Sequence, residues 1–436
     1  MSADGSPTCK IPGGHKPPLQ RLFDKGGSNL TEWHVITGEY PPQAGGVSDY
    51  TRLVASGLAA AGDAVHVWCP PCAGSDLEDS GVFVHRELGA MTPYDLLRVG
   101  RMLDKFPKPR RILVQWVPHA FGFRSANLPL SLWLWNRAFA HKDHIEIMLH
   151  EPYLPMRQDR LRHSALAVVH RMMLAAVLRA ANRVWTAIPK WEEYCRPYTF
   201  GKPIPFTWLP VVSNIPVDHQ SGATQAVRAR YAPSDGYLIG HFGTCGGAIG
   251  DALRALLPAL LDQPKRAVLL IGQDSQHARV ELLKDYPLLG DKIHATGPLS
   301  PEKVSWHISA CDMMLQPYPD GVSSRRGSLM AALSHGKPIV ATSGRLTEPL
   351  WHECGPVVLV PAGNHDQMIA VTENLLADPG RRESLGAAAK IMYDKGFGLQ
   401  NLIGLLRNEA NRGNPVDKLE GIRIAGQDAA TPQQSS

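Results

Sequence analysis

The strongest constraint in this chain is a hydrophobic periodicity that keeps changing. From about residue 33 to residue 360, short apolar runs alternate with longer stretches of helical spacing. That alternation builds parallel sheets flanked by helices. The first unit shows it best. Trp33-His34-Val35-Ile36-Thr37 reads as a strand, followed by a loop from Gly38 to Gly46 that carries Pro41-Pro42. The helix after it places Tyr50, Leu53, Val54, Gly57, Leu58 and Ala61 at the i, i+3, i+4, i+7, i+8, i+11 spacing of one buried face. Ser48 is expected to cap this helix and Gly62 to end it, before a second strand at 64–68.

Further strands are expected at 112–116, 145–149, 184–187, 237–240, 267–271, 313–316, 339–341 and 357–360, with a long basic helix over about 160–181. A proline-rich crossing at 202–216 interrupts the series before it restarts. The reading is an α/β protein of two Rossmann-like, doubly wound domains facing a cleft. The first spans 30–212, a linker 213–235 and the second 236–411, while 1–29 and 412–436 are expected to be disordered tails. Open α/β sheets bind ligands at the carboxyl ends of their strands, so the cleft is the expected site.

Composition narrows the partners. With 45 Lys and Arg against 40 Asp and Glu, the net charge of +5 is too small to force nucleic-acid binding but suits anionic small molecules. The longest apolar stretches, such as 128–135, are far short of the roughly 18 residues of a membrane span. Residues 1–29 have no apolar core, so no secretory signal is expected. Seven scattered cysteines make no disulfide scaffold, and a reducing cytoplasm is the expected home. Cys69-Pro-Pro-Cys72 has redox spacing but no second pair to complete a metal site, and reads as two unrelated thiols.

Three segments carry candidate chemistry. Gly45-Gly46-Val47-Ser48-Asp49 lies between a strand and a helix amino end, which suits either close approach to an anion or an ordinary tight turn. His150-Glu151 ends the strand at 145–149. The imidazole is placed to hydrogen-bond a sugar or phosphate, or equally to be half buried against backbone. Asp320-Gly-Val-Ser-Ser-Arg325-Arg326-Gly327-Ser328 precedes a short helix over 329–335, and two arginines among glycines and hydroxyls suit a diphosphate. Leu128 to Trp135, with Arg124, Arg137, Phe139 and Lys142, is expected on a membrane surface, in core packing or in a lid. The basic side of the helix from about Arg160, with Arg162, Arg171 and Arg179, reads as a solvated face.

Together these segments resemble retaining, family 4-like glycosyltransferases of the GT-B fold (glycosyltransferase group 1). Thr37-Gly-Glu-Tyr-Pro-Pro-Gln-Ala-Gly-Gly-Val-Ser-Asp-Tyr50, Leu149-His150-Glu151, Ala310 to Pro317 and Leu333 to Thr342 are similar to that family's pieces in order and spacing. The resemblance implies transfer of a sugar from a nucleoside diphosphate sugar to a hydroxyl acceptor, a glycan or lipid-linked precursor, with retention. It implies no metal or other cofactor, no nucleic acid, work in polysaccharide biosynthesis, and possible peripheral membrane contact. In residue terms it implies Gly45 and Gly46 at the diphosphate–sugar junction and His150 on a donor-sugar hydroxyl. Arg325, Arg326, Gly327, Ser328 and Asp320 belong to the diphosphate side, and Gly297 and Leu299 to the loop that holds the base.

The chain also departs from the family. Where the family has Arg and Lys at the opening of its second domain, this chain has His241 and Gly246. The family's two glutamates fall near Ser323 and Ala331 counting back from Gly336, or the first near Asp320-Gly321 counting forward from Pro317, and neither count meets a Glu. A second expectation follows, a non-catalytic GT-B protein that binds nucleotide sugar or glycan. A third is another GT-B activity, an epimerase or phosphorylase.

Overall fold

The computed structural model describes residues 31–74, 79–156, 161–232, 234–353 and 355–407. The expected disordered tails, 1–29 and 412–436, lie outside the described residues. Thirteen strands are present among the described residues. Seven form the first sheet: β1 (Glu32–Ile36), β2 (Ala64–Trp68), β3 (Val82–His85), β4 (Arg111–Trp116), β5 (His144–Leu149), β6 (Arg183–Thr186) and β7 (Phe206–Trp208). Six form the second: β8 (Tyr237–Phe242), β9 (Arg266–Ile271), β10 (Ile293–Ala295), β11 (Met313–Gln316), β12 (Ile339–Ser343) and β13 (Val357–Pro361).

The first sheet runs β3-β2-β1-β4-β5-β6-β7 and the second β10-β9-β8-β11-β12-β13, with every pairing inside them parallel. Both orders reverse at one point, between β1 and β4 and between β8 and β11. Loops leaving the carboxyl ends of strands diverge at such a point, which leaves a crevice for a ligand. The two doubly wound sheets of the sequence reading are therefore present.

Three strands went unanticipated: β3, β7 and β10. Each has 3 or 4 residues and lies at a sheet edge, where one flank lacks the neighbour that demands a continuous apolar run. The linker candidate 213–235 contains a helix, Ser221–Tyr231. Ser48 does not cap the first helix, Gly46–Ala60. The N-cap is Gly45, and the Ser48 hydroxyl donates instead to the carbonyl of Gln43 at 2.6 Å.

The last described helix, Leu399–Arg407, follows the second sheet in sequence but packs on the first. Its Leu402, Ile403 and Leu406 join the first core. Arg111 Nη2 donates to the Leu406 carbonyl at 3.0 Å, and Arg407 pairs with Asp63 at 3.0 Å. Gly57 makes the approach possible, since a Cβ there would lie 2.8 Å from the Ile403 side chain.

A buried histidine cluster marks the β1–β2–β3 corner. Register places His34 beside His66 and Trp68 beside His85, and period-two alternation puts these rings on one face. His34 stacks on His66 at 5.3 Å and His66 on His85 at 5.2 Å. Trp68 Nε1 donates to His34 Nδ1 at 3.3 Å, so His34 is neutral there. Burial pushes His34 down to about 3 and His85 down to about 4, helped by neighbouring His66.

Both histidines bind protons more readily when unfolded. Their stabilising contribution is complete above pH 6.5 and is lost as pH falls from 6.5 toward 3–4. Thermal denaturation across this range should show stability falling by up to about 1.4 kcal/mol per pH unit for each imidazole. His34→Leu should flatten that acid limb.

Candidate active site

Residues leaving the switch points of both sheets line one cavity of about 390 Å³. From the first lobe come Glu39 and Gly46 after β1, His119 after β4, and His150 and Glu151 after β5. The second lobe contributes Arg325 and Gly327 after β11, and Asn214 enters from the crossing segment.

Two helix amino ends open into this cavity. Gly46 and Gly327 both line it, and neither helix has a side-chain cap from its N-cap residue. Backbone N–H groups and the helix dipole there favour a negative charge. The two adjacent glycines of the first lobe differ in purpose. A Cβ on Gly46 would meet nothing within 4 Å, so Gly46 is open to the cavity. A Cβ on Gly45 would lie 2.3 Å from Glu39 Oε1. Gly45 is therefore required by a carboxylate of the protein itself.

His150 stands at the end of β5, with Tyr50 edge-on at 4.9 Å and Gln115 Oε1 2.8 Å from its Nε2. Trp191 Nε1 donates to its carbonyl at 2.8 Å. Burial pushes the imidazole down to about 4, so it is neutral at physiological pH. Nδ1 is left as the nitrogen for a ligand.

Asp320 binds three guanidinium groups: Arg345 at 2.8 Å on Oδ1, and Arg325 at 3.2 Å and Arg326 at 3.7 Å on Oδ2. It acts as their common counterion. The two adjacent arginines diverge. Arg325 turns to the first lobe, with Nη1 3.9 Å from Glu151 and its guanidinium over Trp191 at 5.8 Å. Arg326 lies over the Tyr318 ring at 4.8 Å, and the Tyr318 hydroxyl is 2.8 Å from Ser328 Oγ. Ser328 in turn adjoins Gly243 at the end of β8. With Glu151 also shared by His119 at 3.7 Å, the cluster carries excess positive charge.

The remaining sequence candidates lie elsewhere. Leu299 lines a separate cavity with Trp306, Tyr231, Arg230 and Lys303, and Gly297, at φ 69°, adjoins Gln276 of that cavity. His241 is buried, its ring nitrogens 2.9 Å from the Leu315 carbonyl and 3.1 Å from that of Thr244, so it offers no cation to the cleft. Gly246 caps the helix Gly247–Asp262 beside another small cavity. Among the described residues Cys69 and Cys72 form no disulfide. Among the described residues no group of three or more His, Cys, Asp or Glu is arranged to hold a metal ion.

Sequence reasoning missed Glu39, His119, Asn214 and Glu348. Asn214 Nδ2 donates to Asp49 Oδ2 at 2.8 Å, and the side chain lines the cavity near Gly327. Glu348 is buried; it accepts from the Ser324 amide at 2.9 Å and from Trp351 Nε1 at 2.8 Å. Burial pushes its carboxyl above the usual range. No local pattern distinguishes these residues from ordinary loop positions.

Residues 238–378 match the family model of glycosyl transferases group 1. That match covers most of the second domain, and the chain is a glycosyltransferase. Among solved structures, the sucrose-phosphate synthase of Thermosynechococcus elongatus aligns with a TM-score of 0.66 at 19% identity, over 86% of this chain and 97% of that one. A glycosyltransferase from Rickettsia africae gives 0.66 at 12%, over 90% and 100%. Anabaena HepE in complex with UDP-glucose gives 0.60 at 14%, over 86% and 98%. These likenesses show the GT-B fold. No curated protein matches the chain.

The open surroundings of Gly46 make a sharp test for this glycosyltransferase. Gly46→Val should fit without steric conflict in the protein and fill space at the mouth of the cavity. Glycosyl transfer should fall at least tenfold while the melting temperature stays within a degree or two. Wild-type turnover in this variant would show that nothing binds against Gly46.

Proposed function

We propose that this glycosyltransferase moves a sugar from a nucleoside diphosphate sugar to a hydroxyl acceptor, a glycan or lipid-linked precursor, with retention and without a metal ion. The observation that carries the reading is the arginine cluster on Asp320, whose Arg325 lines one cavity with the amino ends of the uncapped helix Gly327–Ser334 and of Gly46–Ala60. A departing diphosphate accumulates negative charge, and preorganised cations and amides lower the barrier by stabilising it. In this reading Arg326, Gly327 and Ser328 hold the diphosphate. Arg325 spans the cleft toward Glu151 and closes the site, and neutral His150 hydrogen-bonds a hydroxyl of the donor sugar. Gly46 lets the donor approach the first lobe while Gly45 seats Glu39, Asp320 holds the arginines in place, and Gly297 and Leu299 belong to the base side.

A charged hydrogen bond of this kind contributes about 1.5–3 kcal/mol, or roughly tenfold to over a hundredfold in affinity. Calorimetry on Arg326→Ala should show that loss for the preferred nucleoside diphosphate and none for the bare nucleoside. Arg325→Ala should show a smaller loss, since that side chain faces the first lobe. If both variants bind the diphosphate as wild type does, the arginines serve only the protein's own packing. Donor turnover by the purified wild type separates the enzyme from the non-catalytic alternative, which binds without turnover.

Contact with a membrane surface is part of the same proposal. No helix among the described residues is long and apolar enough to cross a membrane. The helix Leu128–Ala140 buries Leu130, Trp133 and Leu134 but exposes Leu132, Trp135 and Phe139, the last at 73%. Beside it, Leu161–Ala180 exposes Val168 and Met172. Arg137 does not belong to this surface, because it is buried and bound to Asp143 and Asp104. Apolar side chains exposed in this way suit an interfacial helix. Anionic liposomes should co-sediment the protein at low salt, and Trp135→Ser with Phe139→Ser should abolish it; no binding at low salt would favour a soluble acceptor.

A further inference from the structure

Glu39 is held at the cavity by its backbone neighbours and by the amino end of the helix Gly46–Ala60. Its backbone is pinned by Thr37, a buried residue whose hydroxyl donates to the Glu39 carbonyl at 2.8 Å. Gly38 beside it can only be glycine, because a Cβ there would lie 2.2 Å from the Ala120 carbonyl oxygen. The carboxyl group rests against Gly45, and Oε1 accepts the Ser48 amide at 3.0 Å in the first turn of Gly46–Ala60. One oxygen is thus anchored on a helix amino end, where the dipole favours a carboxylate. No Lys, Arg or His among the described residues forms an ion pair with Glu39, which nevertheless lines the cavity with His150, Arg325 and Gly327. The other carboxylate there, Glu151, is engaged with Arg325 and His119.

A fixed carboxylate with one oxygen spare, in a polar cavity, is built to accept a hydrogen bond from a hydroxyl. We propose that Glu39 binds a hydroxyl of the glycosyl group being transferred, taking on the sugar recognition that no carboxylate of the Ser323–Ala331 segment can supply. The inference rests on the donor reading above. The diphosphate lies toward Gly327 and the sugar extends across the cavity, where Glu39 meets it from the first lobe. Oε1 stays on Ser48 throughout, and Oε2 accepts from the sugar. Because the anchoring needs the bare face of Gly45, the two residues act as a pair.

Two variants test this by different routes. Glu39→Gln keeps the shape and the Ser48 contact but replaces one accepting oxygen by a donor. Gly45→Ala leaves the carboxylate intact and pushes it off its seat, a shift the flexible end of Glu39 can make without unfolding the chain. Calorimetry with a panel of UDP, GDP and ADP sugars first finds the donor that wild type binds, and then compares it with its bare nucleoside diphosphate. In both variants affinity for the nucleoside diphosphate should be unchanged, while the extra affinity contributed by the sugar and the turnover each fall at least tenfold. Donor binding and turnover equal to wild type in Glu39→Gln would overturn the proposal. So would equal weakening for sugar nucleotide and bare diphosphate, which would make Glu39 a prop for the loop. A wild type that binds no sugar nucleotide would instead overturn the donor reading, and this one with it.

Discussion

Ser324 lies buried where the two sheets meet, and the placement of the cleft's cations depends on its hydrogen bonds. Its amide donates to Glu348 of its own lobe, and its carbonyl accepts from Val211 at 3.0 Å. Its hydroxyl is 2.9 Å from the Ala187 carbonyl and accepts from Trp208 Nε1 at 3.0 Å. Ala187 and Trp208 follow or end strands of the first sheet, so one small residue stitches first sheet, crossing segment and second sheet together. The next residues along the chain are Arg325 and Arg326. A buried polar group left without a partner costs about 1–3 kcal/mol, which keeps this node closed and the two guanidinium groups at fixed positions.

That constraint changes how the missing family motif is to be understood. The opening of the second domain has no exposed cation, since His241 is committed to carbonyls of its own sheet. Positive charge enters the cleft from the other side of the same switch point, on a loop held by Ser324 and organised by Asp320. Three guanidinium groups around one carboxylate would repel one another in isolation. Asp320 holds them together, and the surplus charge is available to an anion. Arg325 and Arg326 part at a turn, closed by the Arg326 amide donating to the Ser323 carbonyl at 3.1 Å, which changes the direction of the chain between them.

The division between lobes is uneven in chemistry. The second lobe presents cations and amides, suited to phosphate; the first presents Glu39, His150 and Glu151, suited to hydroxyl groups. Gly45, whose bareness reads from the sequence as room for a ligand, instead makes room for Glu39. Helix Leu399–Arg407 returns across the gap to pack on Gly46–Ala60, so the helix whose amino end lines the cleft is braced by the last described segment of the chain.

Much of this was legible in the sequence, and the reason is local. Strands buried on both faces must be continuously apolar, and helices on a sheet must repeat their apolar face. β1, β2, β4, β5, β6, β8, β9, β11, β12 and β13 therefore stood out, as did the turn at Gly46, the strand-end His150 and the Arg325–Arg326 loop. Short edge strands such as β7 and β10 did not, because a single neighbour imposes little pattern. The direction in which Arg325 and Arg326 part, the burial of Arg137 against Asp143, the capture of Ser48 by Glu39 and the histidine stack of His34, His66 and His85 were all decided by tertiary structure. The histidine stack depends on residues brought together by parallel crossovers from tens of positions away, and even the short-range pairs, Glu39 with Ser48 and Arg137 with Asp143, are set by how the intervening loop packs rather than by any spacing visible along the chain.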